Sequence, residues 1–581
     1  MVEIQINQVA LEKYGSKKAV IVVGESSELI RLSVTSSDGT HMLEAPFNEI
    51  AGFTEWGIGK KYYRADFSEL DEDGTFRLVT HLADGSVAQS ASFVVGNQAL
   101  FELTMADVLD YFVANRNTSE RDRAIPLIDT VQEIDVYGGW NDAGGETGKY
   151  LSHLAYSNFF TPQQASMVAW SILAALENAG PHFTRLGLED KVLEEAFWGA
   201  DFLHRMLSRH GYFYMTVFDR WGSDDNRWIT GYKGLAGEYT PNYQAAFRTG
   251  SGMAIAALAR AARLAEATGR AGEFSGQQYL DDAVTAFNHL QINNLEYCDD
   301  GKENIIDDYT SLMAAVELFR TTAEDAYLEY SRQRAVNLAK RLTPSGYFLA
   351  DDGQRPYFHA VEAGLPVIAL LHYHDVENDH ALQDKALTTV RSALEYQLLL
   401  DAEVPNPFDY PLQNFKTFDF KNRAYTSGVL SGFFVPHENE TGYWWQGENA
   451  RLASLAAAAT MARQRFEQSS NEELERLTAR LCVFAQDNID WIMGKNPYGL
   501  CMLYGFGDKN PEFQISSGTM VKGGISNGIT GRMDSAEGRG IDWLADDERG
   551  NWRWVEQWTP HGAWYLYACS IMAGGGQDIR G

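Results

Sequence analysis

IDVYGGWNDAGGETGKY, residues 134–150, packs three acids (Asp135, Asp142 and Glu146), one tryptophan and five glycines (Gly138, Gly139, Gly144, Gly145 and Gly148) into one loop. Glycines let a backbone take tight left-handed turns and approach a ligand closely. Asp142 and Glu146 flank such a turn, so both carboxylates can point into one pocket. On chemistry alone, a glycine-rich turn with aspartate caps accounts for the stretch equally well.

On the N-terminal side, residues 2–97 alternate in short runs. VEIQINQVA, KKAVIVVG, LIRLSVTS, KYYRADF, TFRLVTHL and SVAQSASFVV are separated by turns such as SSDGT and LDEDG. β-Branched and aromatic residues at period two, with regular turn signals, predict a small antiparallel sandwich over residues 1–100. Beyond it the period becomes helical. About twelve helices are predicted, near 102–116, 162–181, 188–209, 242–268, 275–291, 304–321, 323–341, 357–371, 378–400, 448–467, 470–494 and 560–574. Thr161-Pro162 and Ser470 read as helix starts. Ala-rich stripes such as MAIAALARAARLAEA and ARLASLAAAATMARQRF let helices approach closely. The long loops 117–160, 210–241, 401–447 and 495–557 are rich in Trp, Gly and Asp. Such loops inside a helical body are usually functional. The pattern predicts six helical hairpins closed into a ring over 101–581, the loops gathered at one mouth.

With 581 residues the chain exceeds one ordinary core, and its 45% hydrophobic, 22% charged and 12% aromatic composition is globular. A net charge of −31 argues against nucleic acid as a partner and disfavours anionic membranes. No apolar run approaches the roughly 20 residues a membrane span needs. MVEIQINQVALEKYG carries no secretory pattern, and Cys298, Cys482, Cys501 and Cys569 lack CxxC spacing. Both suit a cytoplasmic protein with free thiols. The histidines show no HxxxH spacing, and no nucleophile elbow or P-loop is present, so no metal or organic cofactor is expected.

The 134–150 stretch resembles the catalytic signature of glycoside hydrolase family 9, D-V-x-G-G-W-x-D-A-G-D. Asp135, Val136, Gly138, Gly139, Trp140, Asp142, Ala143 and Gly144 match it; the second aspartate falls at Gly145, and Glu146 follows one residue later. The C-terminal GNWRWVEQWTPHGAWYLYACSIM is similar to the family's closing N-E-V-x-x-x-x-N-A segment, with Glu556 in the place of the acid. MGKNPYGLCMLYGFG (493–507) and ETGYWWQGENARLASLAAAA (440–459) also resemble family segments. The N-terminal runs are similar to the immunoglobulin-like module that often precedes this catalytic domain. The resemblance implies an immunoglobulin-like sandwich followed by an (α/α)6 barrel. It implies Glu556 as general acid, and Asp142 and Glu146 jointly as the groups that hold and deprotonate the attacking water. An inverting enzyme keeps its two carboxyl positions about 6.5–9.5 Å apart to admit that water.

Sugar rings stack on aromatic faces, so Trp140, Trp228, Tyr443, Trp444 and Trp445 are candidate subsite walls, with Asp225 and Trp554 beside them. The family's His-His-Arg cluster is replaced by GDKNPEFQISSG (507–518), and its D-H-x-x-W segment appears as Asp225, Asn226, Arg227 and Trp228. A different glycone pocket is therefore expected. Glu448, at a helix start beside three aromatics, is a candidate ligand for a sugar 2-amino group, whereas Asp307 and Asp308 read as helix-start acids. The expected activity is an inverting exo-β-1,4-glycosidase, monomeric or dimeric, acting on a β-linked oligosaccharide. Glucosamine is the favoured unit, so the chain reads as an exo-β-D-glucosaminidase, with a β-glucosidase next. A family 9 endoglucanase and a non-catalytic carbohydrate-binding barrel are the alternatives.

Overall fold

The computed structural model describes residues 2–574 apart from 38, 40, 41, 58, 144, 224, 225, 354, 469, 470, 513–519 and 547–549. Among the described residues, ten strands open the chain: β1 (Val2–Gln5), β2 (Ala10–Glu12), β3 (Lys18–Gly24), β4 (Leu29–Ser36), β5 (Met42–Glu44), β6 (Phe47–Ile50), β7 (Lys60–Asp66), β8 (Gly74–Leu82), β9 (Val87–Gln89) and β10 (Phe93–Gly96). One sheet runs β1-β3-β7-β6 and the other β2-β10-β8-β4-β5, with β9 against β8. Period-two patterning is plain in β8, where Phe76, Leu78, Thr80 and Leu82 face inward and the residues between them do not. Ile21, Val34, Ala65, Leu78 and Val95 from both sheets meet in the sandwich core. This is the immunoglobulin-like domain; its last strand ends at Gly96 and the first helix begins at Ala99. The short strands β5 and β6 carry too little alternation to be read from sequence.

Thirteen α-helices follow among the described residues. They are α1 (Ala99–Ala114), α2 (Ala165–Arg185), α3 (Glu189–Met206), α4 (Gly252–Thr268), α5 (Gly276–Tyr297), α6 (Ile305–Thr322), α7 (Asp325–Lys340), α8 (Leu365–His374), α9 (His380–Asp401), α10 (Asn449–Phe466), α11 (Glu472–Ile492), the single turn α12 (Trp552–Val555) and α13 (Thr559–Gly574). Helices α2, α4, α6, α8, α10 and α13 pack side by side in a closed inner ring, and the remaining long helices lie outside it. The inner helices are buried nearly all round, as α6 and α10 show. The outer helix α5 buries only a stripe, including Tyr279, Ala283, Ala286, Phe287 and Leu290. Both Ala-rich stretches lie in the inner ring, where close neighbours leave little room for side chains. The fold is an (α/α)6 barrel.

Several predicted helix starts differ from the structure, among them that of the helix predicted at 357–371, which begins only at Leu365 as α8. Helix α2 begins at Ala165, three residues after Pro162, and Thr161 makes no cap. Residues 162–164 are engaged elsewhere: the Gln163 amide donates to Glu362 Oε2 (2.9 Å) and Gln164 Nε2 to Asp142 Oδ1 (2.6 Å). Residues 242–251 are not regular α-helix, because Gly250 turns left-handed (φ 108°) where it presses on Leu151. Ser470 lies outside the described residues, and Asn471 caps α11 by accepting from the Glu473 amide (2.9 Å).

The sandwich is bound to the barrel by specific contacts. Asn7 Nδ2 donates to Asp490 Oδ1 (2.8 Å), and Lys18 pairs with Asp487 (2.9 Å). Trp56 inserts among Phe408, Tyr410, Phe433 and Trp491, with its ring 4.8 Å from that of Phe433. The sandwich thereby braces the 401–447 loop, which supplies two aromatic walls of the cavity described next.

Candidate active site

The four long loops converge on a cavity of about 440 Å³ at the barrel mouth. Asp142, Glu146 and His153 come from the first loop, Trp221 and Leu235 from the second, Tyr443, Trp444 and Gln446 from the third, and Trp552 and Glu556 from the fourth. Trp558, at the start of α13, completes the wall.

Buried ions hold the 134–150 loop in shape. Lys149 Nζ pairs with Asp122 (2.5 Å) and donates to the carbonyls of Val136 and Gly138. Arg227 bridges the same Asp122 to the Thr147 carbonyl. Asp219 Oδ2 accepts from the amides of Thr147 (2.7 Å) and Gly148 (2.8 Å). At Gly145 the backbone is left-handed (φ 88°), a conformation in which an aspartate side chain is strained. The second acid therefore stands one residue on, at Glu146. Asp135, the other acid of the stretch, accepts from the Tyr137 amide and lies away from the cavity.

Environment separates the three carboxyls. Asp142 is 5% exposed. Its Oδ1 accepts from Gln164 Nε2 (2.6 Å) and Trp558 Nε1 (2.8 Å), and its Oδ2 lies 3.5 Å from His153 Nε2. Burial opposes its ionisation, yet the His153 charge and hydrogen bonds from His153, Glu146 and Gln164 hold its pKa below the ordinary value. Glu146 is pushed well above the usual range, first by burial, then by the charges of Asp142 and Glu556. Its Oε2 is buried with no hydrogen-bond partner among the described residues. Glu556 is raised to about 8, by burial and then by Asp142, against a weak bond from Asn527. Asp142 thus gives up its proton more readily than a free carboxylic acid, whereas Glu146 and Glu556 hold theirs more tightly.

Of the expected walls, Tyr443 and Trp444 line the cavity. Trp140 does not: its indole donates to Glu195 (2.6 Å) and its ring packs on Phe112 in the core. Trp228 is a strand residue paired with Phe218, outside the lining. Trp445 stacks on His437 with centroids 3.7 Å apart, and Trp554 is fully buried, donating to Thr530 (2.8 Å). Neither lines the cavity. Asp225 lies outside the described residues, as do residues 513–518 of the stretch that replaces the family's His-His-Arg cluster.

Glu448 is also not a sugar ligand. It is 1% exposed and accepts from the Val435 amide (2.6 Å), Tyr410 Oη (3.0 Å), Gln413 and Arg451 (3.1 Å). An acid satisfied by four donors fixes the start of α10 and has no capacity for an amine. Asp307 and Asp308 are buried at the start of α6 against Arg248, Arg334 and Arg341.

Sequence reasoning missed Trp221, Trp552, Leu235, His153, Gln164 and Gln446. Trp221 lies in a loop already marked by composition. Arg220 and Trp221 both take left-handed backbone (φ 52° and 55°), which costs energy and is concentrated at functional sites. The Trp221 indole Nε1 is buried at the cavity wall, without a hydrogen-bond partner among the described residues.

A six-hairpin barrel whose mouth loops surround one depressed and two raised carboxyls with tryptophan faces has the groups that acid–base hydrolysis of a glycosidic bond needs. Residues 66–531 match the model described as glycosyl hydrolase family 9, and residues 2–84 match the cellulase N-terminal ig-like domain. The chain belongs to glycosyl hydrolase family 9, and it is a glycoside hydrolase. Among solved structures it is similar to a metagenome-derived glycoside hydrolase family 9 endoglucanase (18% identity, TM-score 0.65, 99% of each chain covered). It is similar also to a single mutant of a thermostable endoglucanase from Alicyclobacillus acidocaldarius (15% identity, TM-score 0.64, 98% of this chain and 99% of that one). At such identities the likeness concerns the fold. A cellodextrinase from Butyrivibrio fibrisolvens is 27% identical over 178 residues, covering 27% of this chain and 30% of the relative's length.

Proposed function

We propose that the protein is an inverting, exo-acting β-1,4-glycosidase of short oligosaccharides, with Asp142 as general base and Glu556 as general acid. The carrying observation is the split in protonation across one cavity. Asp142, held ionised by Trp558, Gln164 and His153, can take a proton from water. Glu556, kept protonated near neutral pH, can give one to the leaving oxygen. Glu146 shares a proton with Asp142 and keeps its carboxylate aligned. Water attack from one side with protonation of the departing oxygen inverts the anomeric centre.

A cavity of about 440 Å³ is the size of a small-ligand site, which supports action on short chains. Its described lining contains three carboxyls and no lysine or arginine. That charge pattern favours a glucosamine unit, whose ammonium would meet the free Glu146 Oε2 in place of Glu448. A charge-assisted bond of about 1.5–3 kcal/mol corresponds to roughly ten- to hundredfold preference. The second reading, glucose units from cellodextrins, draws on the cellodextrinase relative. The four cysteines are unpaired, which supports a reducing compartment.

The test is hydrolysis of a matched pair, cellobiose and the β-1,4 dimer of glucosamine. The expected result is faster cleavage of the amino sugar, with the preference lost in Glu146→Ala, which removes the acceptor. Faster cleavage of cellobiose by the parent enzyme rejects the amino-sugar reading in favour of a β-glucosidase.

A further inference from the structure

Behind Glu556 runs a chain of side chains that the mechanism above does not use. The Ala450 amide, in the first turn of α10, donates to His561 Nδ1 (2.8 Å). With Nδ1 occupied as an acceptor, the ring proton sits on Nε2, which lies 2.8 Å from Asn527 Oδ1. Asn527 Oδ1 is thereby fixed as an acceptor, and its Nδ2 faces the other way. It donates to the Trp552 carbonyl (2.6 Å) and lies 3.3 Å from Gln446 Oε1 and 3.5 Å from Glu556 Oε2. Gln446 Oε1 in turn faces Asn527, which leaves its Nε2 buried at the cavity wall, unpartnered among the described residues. Gly447 lies against the Asn527 backbone, where a Cβ would come 2.3 Å from the carbonyl carbon. The start of α10, the 526–528 segment and α13 are thus locked together around this chain.

We propose that His561 is a positioning residue: its single tautomer sets the Asn527 amide, and Asn527 both orients the Glu556 carboxyl and turns the Gln446 amide toward a sugar hydroxyl. The role given to Glu556 rests on the reading under Proposed function. His561 is fully buried and held neutral, its pKa lowered to about 3 by burial, so the chain does not titrate in the working range. The titratable groups that face Glu556 are Asp142 and Glu146 across the cavity and Tyr111 from α1. None of them is part of the chain. One tautomer therefore couples the proton donor to a substrate-binding donor without any charged group.

The experiment compares Asn527→Ala, His561→Phe and His561→Gln with the parent enzyme by pH profiles of kcat/KM. The substrates are the disaccharide the enzyme cleaves and the matching 4-nitrophenyl glycoside, whose leaving group needs little protonation. Asn527 stabilises the Glu556 carboxylate, so its loss raises the Glu556 pKa and moves the basic limb to higher pH. In Asn527→Ala and His561→Phe that limb moves up, and kcat/KM on the disaccharide falls about tenfold or more, a fraction of a full general-acid contribution. The 4-nitrophenyl glycoside suffers less, and KM rises for both substrates as Gln446 loses its orientation. His561→Gln keeps a donor toward Asn527 and restores the parent limb. If His561→Phe fails to fold, Asn527→Ala decides, with its melting temperature measured alongside. A basic limb unmoved in folded Asn527→Ala overturns the proposal. Glu556→Gln separates the two readings: if it keeps full disaccharide activity, the assignment of the acid fails and not only the relay.

Discussion

Asp142→Asn is expected to slow hydrolysis by about a thousandfold or more while leaving sugar binding nearly intact, as loss of a general base at this position requires. The substitution is isosteric. The carboxamide oxygen it introduces can still accept from Trp558 and Gln164, so the cavity wall stays in place. The amide cannot take a proton from water. Kinetics and binding by calorimetry together check this: a large fall in kcat with unchanged affinity is the expected pair of results. The companion variant Glu146→Gln should lose much less, because a neutral amide can still hydrogen-bond Asp142. If the losses are reversed, Glu146 and not Asp142 is the base; equal losses would make the pair act jointly.

Glu556→Gln should be the second large effect, and a selective one. Disaccharide cleavage should fall by about 10²–10⁴-fold, the usual worth of a general acid. Cleavage of a 4-nitrophenyl glycoside should fall far less. The sign of the pH dependence follows from the required forms. Glu556 must be protonated, so activity declines as pH rises through about 8. Asp142 must be ionised, and its depressed pKa keeps the acid limb below the ordinary carboxylate range. In Glu556→Gln the basic limb near 8 should disappear. A basic limb that persists unchanged would assign it to another group.

The sequence carried the architecture well because two periods are written into it. Alternation in runs such as TFRLVTHL marks the sandwich, and the switch to Ala-rich helical stripes marks the barrel. The loops were legible as loops by composition, and all four reach the cavity. Within them, the two acids separated by a tight turn were visible because a glycine-rich acidic cluster is rare. Direction was not visible. Trp444 and Trp445 are adjacent, yet one lines the cavity and the other stacks on His437, and no local pattern separates them. Trp140 and Glu448 were misread for a related reason. Each is polar or aromatic beside the catalytic loops, but its partners, Glu195 for one and Tyr410, Gln413 and Arg451 for the other, are fixed by the fold and not by any local pattern. Burial of an acid among such donors is a tertiary fact. His153, Gln164 and Asn527 were missed likewise, since each is an ordinary polar residue until the fold aims it at a carboxyl.

The central claim is that a water activated at Asp142 attacks the anomeric carbon while Glu556 protonates the departing oxygen. Proton NMR of the product in the first minutes of hydrolysis, before mutarotation, tests it most directly. The account predicts that the α-anomer appears first from a β-linked disaccharide. First appearance of the β-anomer would mean a covalent intermediate and retention of configuration, and would contradict it.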